Sequence, residues 1–150
     1  MKKSVKMENC RFCDICSKAK EAVIVFENEG AVAFMDTNPL VEGHVLVVPH
    51  RHVERIIDLS DDEIKKLFQA VKKIEEAMLS SLGCEGIDLH QRYSPFLEES
   101  ELRVGHLHVH LVPRNLNDEL HVRIYSKIKR LKHSTEDLKE TAEQISSAIK

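Results

Sequence analysis

His106-Leu107-His108-Val109-His110 sets three imidazoles in strict alternation with aliphatic residues. In an extended strand, alternate residues face the same side. His106, His108 and His110 then share one face, and Leu107, Val109 and Leu111 turn to the core. Successive imidazoles on such a strand lie roughly 7 Å apart. A surface strand that merely happens to carry histidine gives this pattern only by coincidence. Two chemistries remain. Three same-face histidines are a plausible metal ligand set. A neutral imidazole can also attack phosphorus and depart again, splitting one displacement into two, while flanking histidines hold its tautomer or donate to phosphate oxygens. The second suits the arrangement better, without saying which phosphate is attacked.

The other reactive residues are the cysteines. Cys10, Cys13 and Cys16 crowd into seven positions, and Cys84 stands far off. Cys10-x-x-Cys13 needs two more ligands to make a zinc site. An iron–sulfur cluster would want a fourth cysteine close by. A redox pair would want a βαβ context that the sequence does not offer. Two reduced, unliganded thiols are the remaining alternative.

These residues must be positioned by a chain of 150 residues, 42% of them apolar, with a net charge of -3. That length suits one domain with a real core. Residues 1–9 are polar and lysine-rich and read as a flexible N-terminus, leaving 10–150 as a single domain that includes a C-terminal helix. No export signal or membrane-length apolar run is visible, so the expected location is the cytoplasm or nucleus. The charge gives no general attraction to nucleic acid or membrane. The basic stretch Arg123 to His133 holds too few aromatics for a nucleic-acid patch and reads as a solvated face.

Patterning predicts a hairpin from Ala22–Phe26 and Ala31–Met35 about the turn Glu27 to Gly30, and a buried strand over Val45–Val48. Ser60-Asp61-Asp62-Glu63 has the form of a capping box, and Ile64, Leu67, Phe68, Val71, Ile74 and Met78 follow at helical spacing, so a helix is expected from about 61 to 82. Strands are expected over Ile87–Gln91 and His106–Val112, joined by an acidic loop at 94–101, and Ser134-Thr135-Glu136-Asp137 opens a last helix. About five strands, mostly antiparallel, with two main helices make an α+β domain.

Gly105 to Arg114 resembles the signature of the histidine-triad family, His-φ-His-φ-His-φ-φ. Phe34-Met35-Asp36-Thr37-Asn38-Pro39 and Gly43-His44-Val45-Leu46-Val47-Val48-Pro49 extend the likeness upstream, so that it covers roughly residues 10–114. The stretch Gly43 to Phe68 is most similar to the fragile-histidine-triad branch, whose members hydrolyse dinucleoside polyphosphates. The resemblance implies a homodimeric nucleotide hydrolase in which His108 forms a nucleotidyl-histidine intermediate, supported by His110 and His44. It implies that Asp36 holds the ribose hydroxyls, that Gln91 contacts phosphate or leaving group, and that Phe34 belongs to the nucleotide site. Nucleoside phosphoramidate hydrolysis, or nucleotide binding with slow turnover, are the alternatives.

The resemblance also implies the missing metal ligands. Bacterial-type members supply them from positions that here hold His52 and His106, giving a structural zinc site of Cys10, Cys13, His52 and His106. Cys16 falls where relatives carry an apolar residue and is expected to be buried. One departure stands out. Where the family has Gly-Gln-Ser or Gly-Gln-Thr before its first histidine, this chain has Glu101-Leu102-Arg103. Arg103 could replace the lost phosphate contacts with a charge-assisted pair. Glu98, Glu99 and Glu101 would repel a polyphosphate.

Overall fold

The computed structural model describes residues 9–149, so the N-terminus expected to be flexible lies outside the described residues except for Asn9. In chain order the elements are α1 (Arg11–Cys16), β1 (Ile24–Glu27), β2 (Ala31–Met35), β3 (Val45–Pro49), α2 (Asp61–Ser81), β4 (Gly86–Gln91), β5 (Val109–Arg114), α3 (Glu119–Arg123) and α4 (Thr135–Ser147). The strands form one antiparallel sheet in the order β1-β2-β3-β5-β4. The result is an α+β architecture, as the patterning implies. The chain divides into two compact units at Asp118 and Glu119, the first holding the sheet and the second α3 and α4. Among the described residues no helix is long and apolar enough to cross a membrane.

The alternation of each strand decides what lies on either side of the sheet. Ala31, Ala33, Val45, Val47, Val109 and Leu111 pack with Leu67, Ala70, Val71, Ile74 and Met78 of α2. Val32, Phe34, Leu46 and Val48 pack on the other face with Phe12 and Ile15 of α1. The histidines share this second face, so α1 and the reactive groups compete for the same side of the sheet. The six-residue α1 is too short to show helical periodicity, which is why the sequence did not reveal it.

The histidine strand differs from its expected span. It begins at Val109 rather than His106, because the ladder to β3 stops at the pair Val47 and Val109. Continued in register, the ladder would join Val48 to His108 and then Pro49 to Leu107, and Pro49 has no N–H to offer. Leu107 instead donates to the Val53 carbonyl at 2.6 Å, and the Pro49 carbonyl is taken by His106. The alternation nevertheless survives through His106–His108, with Leu107 buried in the α2-side core.

The turn after β3 is anchored to the start of α2. Ser60 and Glu63 form the expected capping box, and Arg51 grips the Glu63 carboxylate through Nε at 2.6 Å and Nη2 at 2.8 Å. Arg51 holds the Glu63 carboxyl down at about 2. An unfolded glutamate titrates near about 4.3, so this contribution to stability is present above that pH and is lost as pH falls toward 2. Glu63→Gln should therefore lower the urea midpoint at neutral pH, with the deficit shrinking to nothing near pH 2. A deficit independent of pH would mean that only the cap geometry matters.

Candidate active site

Two clusters meet on the second face of the sheet. In the first, the short α1 brings Cys10, at its N-cap, and Cys13, one turn on, against two histidines. Cys10 Sγ lies 3.5 Å from His106 Nδ1, and Cys13 Sγ lies 3.3 Å from His52 Nδ1 and 3.6 Å from His106 Nδ1. A tetrahedral ion about 2.3 Å from sulfur and about 2.05 Å from nitrogen would set S···N separations of about 3.6 Å. All four ligand atoms fall within 4.8 Å of one another. The tautomer is also correct: His106 Nε2–H donates to the Pro49 carbonyl at 2.9 Å, leaving the Nδ1 lone pair for the thiols. Burial lowers the His106 pKa to about 4, which keeps the ring neutral. The donor set therefore fits a metal ion.

In the second cluster backbone groups fix the tautomers of His108 and His44, and His44 fixes that of His110. His108 Nδ1–H donates to the His106 carbonyl at 2.6 Å, which leaves Nε2 as an unprotonated nitrogen. The Leu40 N–H can only donate, and it meets His44 Nδ1 at 3.1 Å. His44 must then donate from Nε2 to His110 Nδ1, 2.9 Å away, so His110 presents an Nε2–H. Gly43, with φ +87°, makes the turn that sets His44 in this place. Burial lowers the pKa of His44, His108 and His110, the last to about 2, so that the cluster is neutral near pH 7. The arrangement presents a lone pair on His108 beside a donor on His110.

His108 and His110 wall two cavities. The larger, about 240 Å³, also holds Asp36, Asn38, His44 and Arg92. The smaller, about 120 Å³, adds Glu54, Arg103 and Gly105. A nucleophile between two compartments suits a displacement with the attacked group on one side and the leaving group on the other.

The HIT-domain family profile matches residues 17–117. The chain belongs to the HIT family. A HIT-like protein of Methanocaldococcus jannaschii is 37% identical over 109 residues, covering 73% of this chain and 81% of that protein. The adenosine 5′-monophosphoramidase of Schizosaccharomyces pombe is 30% identical over 142 residues, covering 95% of this chain and 99% of the relative. Among solved structures, a HIT family member from Bacillus subtilis superposes with a TM-score of 0.81 at 27% identity, covering 95% of this chain and 99% of that one.

Within this HIT chain the expected residues divide. Asp36 lines the larger cavity, with its Oδ1 accepting from the Asn38 N–H at 2.8 Å. Arg103 lines the smaller one but is paired with Glu99 at 2.9 Å. Phe34 is only 3% exposed and stacks edge-on against Phe12, so it supports α1 rather than lining either cavity. Gln91 pairs in register with Val109, on the α2 side, and its side chain donates to the Arg92 carbonyl. The same register puts His90 opposite His110, and the two rings stack at 4.3 Å. His90, Arg92 and Arg11 are thus site residues that the sequence reading missed. Strand alternation counted back from His110 across the β4 pairing would have found His90, had the register been known. Cys16 is half-buried rather than buried, and its thiol, pushed up to about 12 mainly by burial, donates to the Pro49 carbonyl.

Proposed function

We propose that this protein hydrolyses nucleotides at the α-phosphate through a nucleotidyl-histidine intermediate on His108. The observation that carries the reading is the backbone-fixed tautomer of His108, which leaves Nε2 as a ready nucleophile between two cavities. Nε2 forms a bond to the α-phosphorus as the bond from phosphorus to the leaving oxygen breaks. Water then displaces the histidine and releases the mononucleotide. His110 Nε2–H donates to a non-bridging oxygen, where charge builds in the transition state.

Dinucleoside polyphosphate is the leading substrate. Arg92 and Arg103 face the smaller cavity and complement a departing phosphate chain. Phosphoramidate is the second reading, favoured by the near-full-length match to the fission-yeast phosphoramidase. Slow turnover is the third, because Glu99 already engages Arg103. Turnover of diadenosine tetraphosphate measured beside adenosine phosphoramidate separates the three. Faster polyphosphate cleavage supports the leading reading, faster phosphoramidate cleavage replaces it with the second, and tight binding without appreciable turnover of either supports the third. Zinc on Cys10, Cys13, His52 and His106 is part of the proposal. When bound, it would be structural, tying α1 to the segment that carries His108. A homodimer is proposed as well, and light scattering in solution tests it.

Asp36 is assigned to the ribose hydroxyls. Losing charged hydrogen bonds of this kind costs about 1.5–3 kcal/mol. Asp36→Ala should weaken ribonucleotide binding on the order of ten- to a hundred-fold while sparing 2′-deoxynucleotides by comparison. Equal losses for both would reduce Asp36 to a turn residue holding Asn38.

A further inference from the structure

Glu99 places a carboxylate where a phosphate oxygen would be welcome. Its Oε1 accepts from the Arg103 guanidinium at 2.9 Å and from the Gly105 N–H. The absence of a side chain at Gly105 permits this approach, since a Cβ there would overlap Glu99 Oε1 and stand 3.2 Å from Glu54 Oε1. The two donors belong to the cavity that His108 and His110 wall. The backbone that carries Arg103 is held by a local turn. Residues Ser100 to Arg103 close a turn through Ser100 N–H to the Arg103 carbonyl at 2.9 Å, with Ser100 Oγ accepting from the Arg103 N–H at 3.1 Å. Burial is uneven across the pair: the Arg103 side chain is 20% exposed and that of Glu99 is 61% exposed. The guanidinium is the more enclosed partner, and the carboxylate is the more solvent-facing one.

We propose that the Arg103 guanidinium and the Gly105 N–H form the subsite for the leaving-group phosphates, and that Glu99 occupies it as an internal anion until a polyphosphate chain displaces it. This rests on the polyphosphate reading above and sharpens it. A polyphosphate brings several charged oxygens to compete with the Glu99 carboxylate in a cavity that Glu54 also lines, whereas the amine of a phosphoramidate brings none and leaves Glu99 in place. The device therefore selects for anionic leaving groups. It also gives the acidic loop a definite role where the sequence suggested only repulsion.

The probe is inorganic tripolyphosphate, titrated calorimetrically into the full-length, metal-replete protein. Glu99→Gln should tighten its binding about ten-fold, the scale of one charge-assisted hydrogen bond relieved of an internal competitor. Glu98→Gln removes the same charge from the same loop without touching the donors, and should change affinity by less than about two-fold. Adding Arg103→Gln to Glu99→Gln should abolish the gain. Adenosine 5′-monophosphate affinity should stay within about two-fold of wild type in Glu99→Gln, which also reports an intact fold. Equal gains from Glu98→Gln and Glu99→Gln, no gain from Glu99→Gln, or a matching gain for the monophosphate would each overturn the subsite. Diadenosine tetraphosphate turnover tests the underlying reading separately. If the tripolyphosphate pattern holds but the dinucleotide is not cleaved, the subsite stands and the substrate assignment falls.

Discussion

Replacing His108 with Asn is expected to abolish turnover, by at least about a thousand-fold, while leaving nucleotide affinity close to wild type. Removing a nucleophile from a set of groups that act as a unit costs as much as dismantling the set. Asparagine can keep a donor toward the His106 carbonyl, but its amide nitrogen has no available lone pair to attack phosphorus. The expected signature is a single-turnover experiment with no covalent nucleotidyl adduct on denatured protein, beside unchanged binding by calorimetry. The wild type should trap such an adduct on His108. Near wild-type turnover in the variant would mean that water attacks directly and that the histidines only orient it.

Stripping the metal is expected to have the second large effect, this time on the fold. A site built from α1, the turn after β3 and the segment before β5 exists only in the folded chain, so metal binding free energy becomes folding free energy. Purified protein should carry about one zinc per chain. Strong chelation should lower the melting temperature on the order of 10 °C, corresponding to a few kcal/mol in a chain of this size. Proteolysis near Cys10 and Cys13 should accelerate at the same time. Hydrolysis should need no added divalent cation at that site, and should fall only as the His106–His108 segment loosens. Protein free of zinc at neutral pH, or zinc retained after Cys10 and Cys13 are both changed to Ser, would remove this assignment.

The two predictions are linked through Pro49. Its carbonyl accepts from His106 Nε2 and from the Cys16 thiol, and its missing N–H ends the β3–β5 ladder just where the histidines must leave it. His106 can then turn its Nδ1 to the thiols while its carbonyl, on the other side of the same residue, holds His108. In the proposed reading one residue would serve the metal and the nucleophile without the two competing.

Local pattern was enough for much of this protein. Binary alternation located the five strands to within a few residues, and the capping box with its helical stripe located α2 almost to the residue. Spacing and resemblance together named His108, His110, His44, Asp36 and all four candidate metal ligands, which the fold does bring together in two clusters. These features are local, or are carried by residue types that the chemistry demands. Strand register, α1 and the tautomers of His106 and His110 were decided by tertiary structure. Register set His90 rather than Gln91 beside His110, because a shift of one residue moves a side chain to the opposite face. Packing of α1 buried Phe34 and carried Arg11 into the site. The protonation of His106 and His110 depends on groups brought close by folding, the Pro49 carbonyl for one and the His44 ring for the other, and no spacing along the chain encodes that.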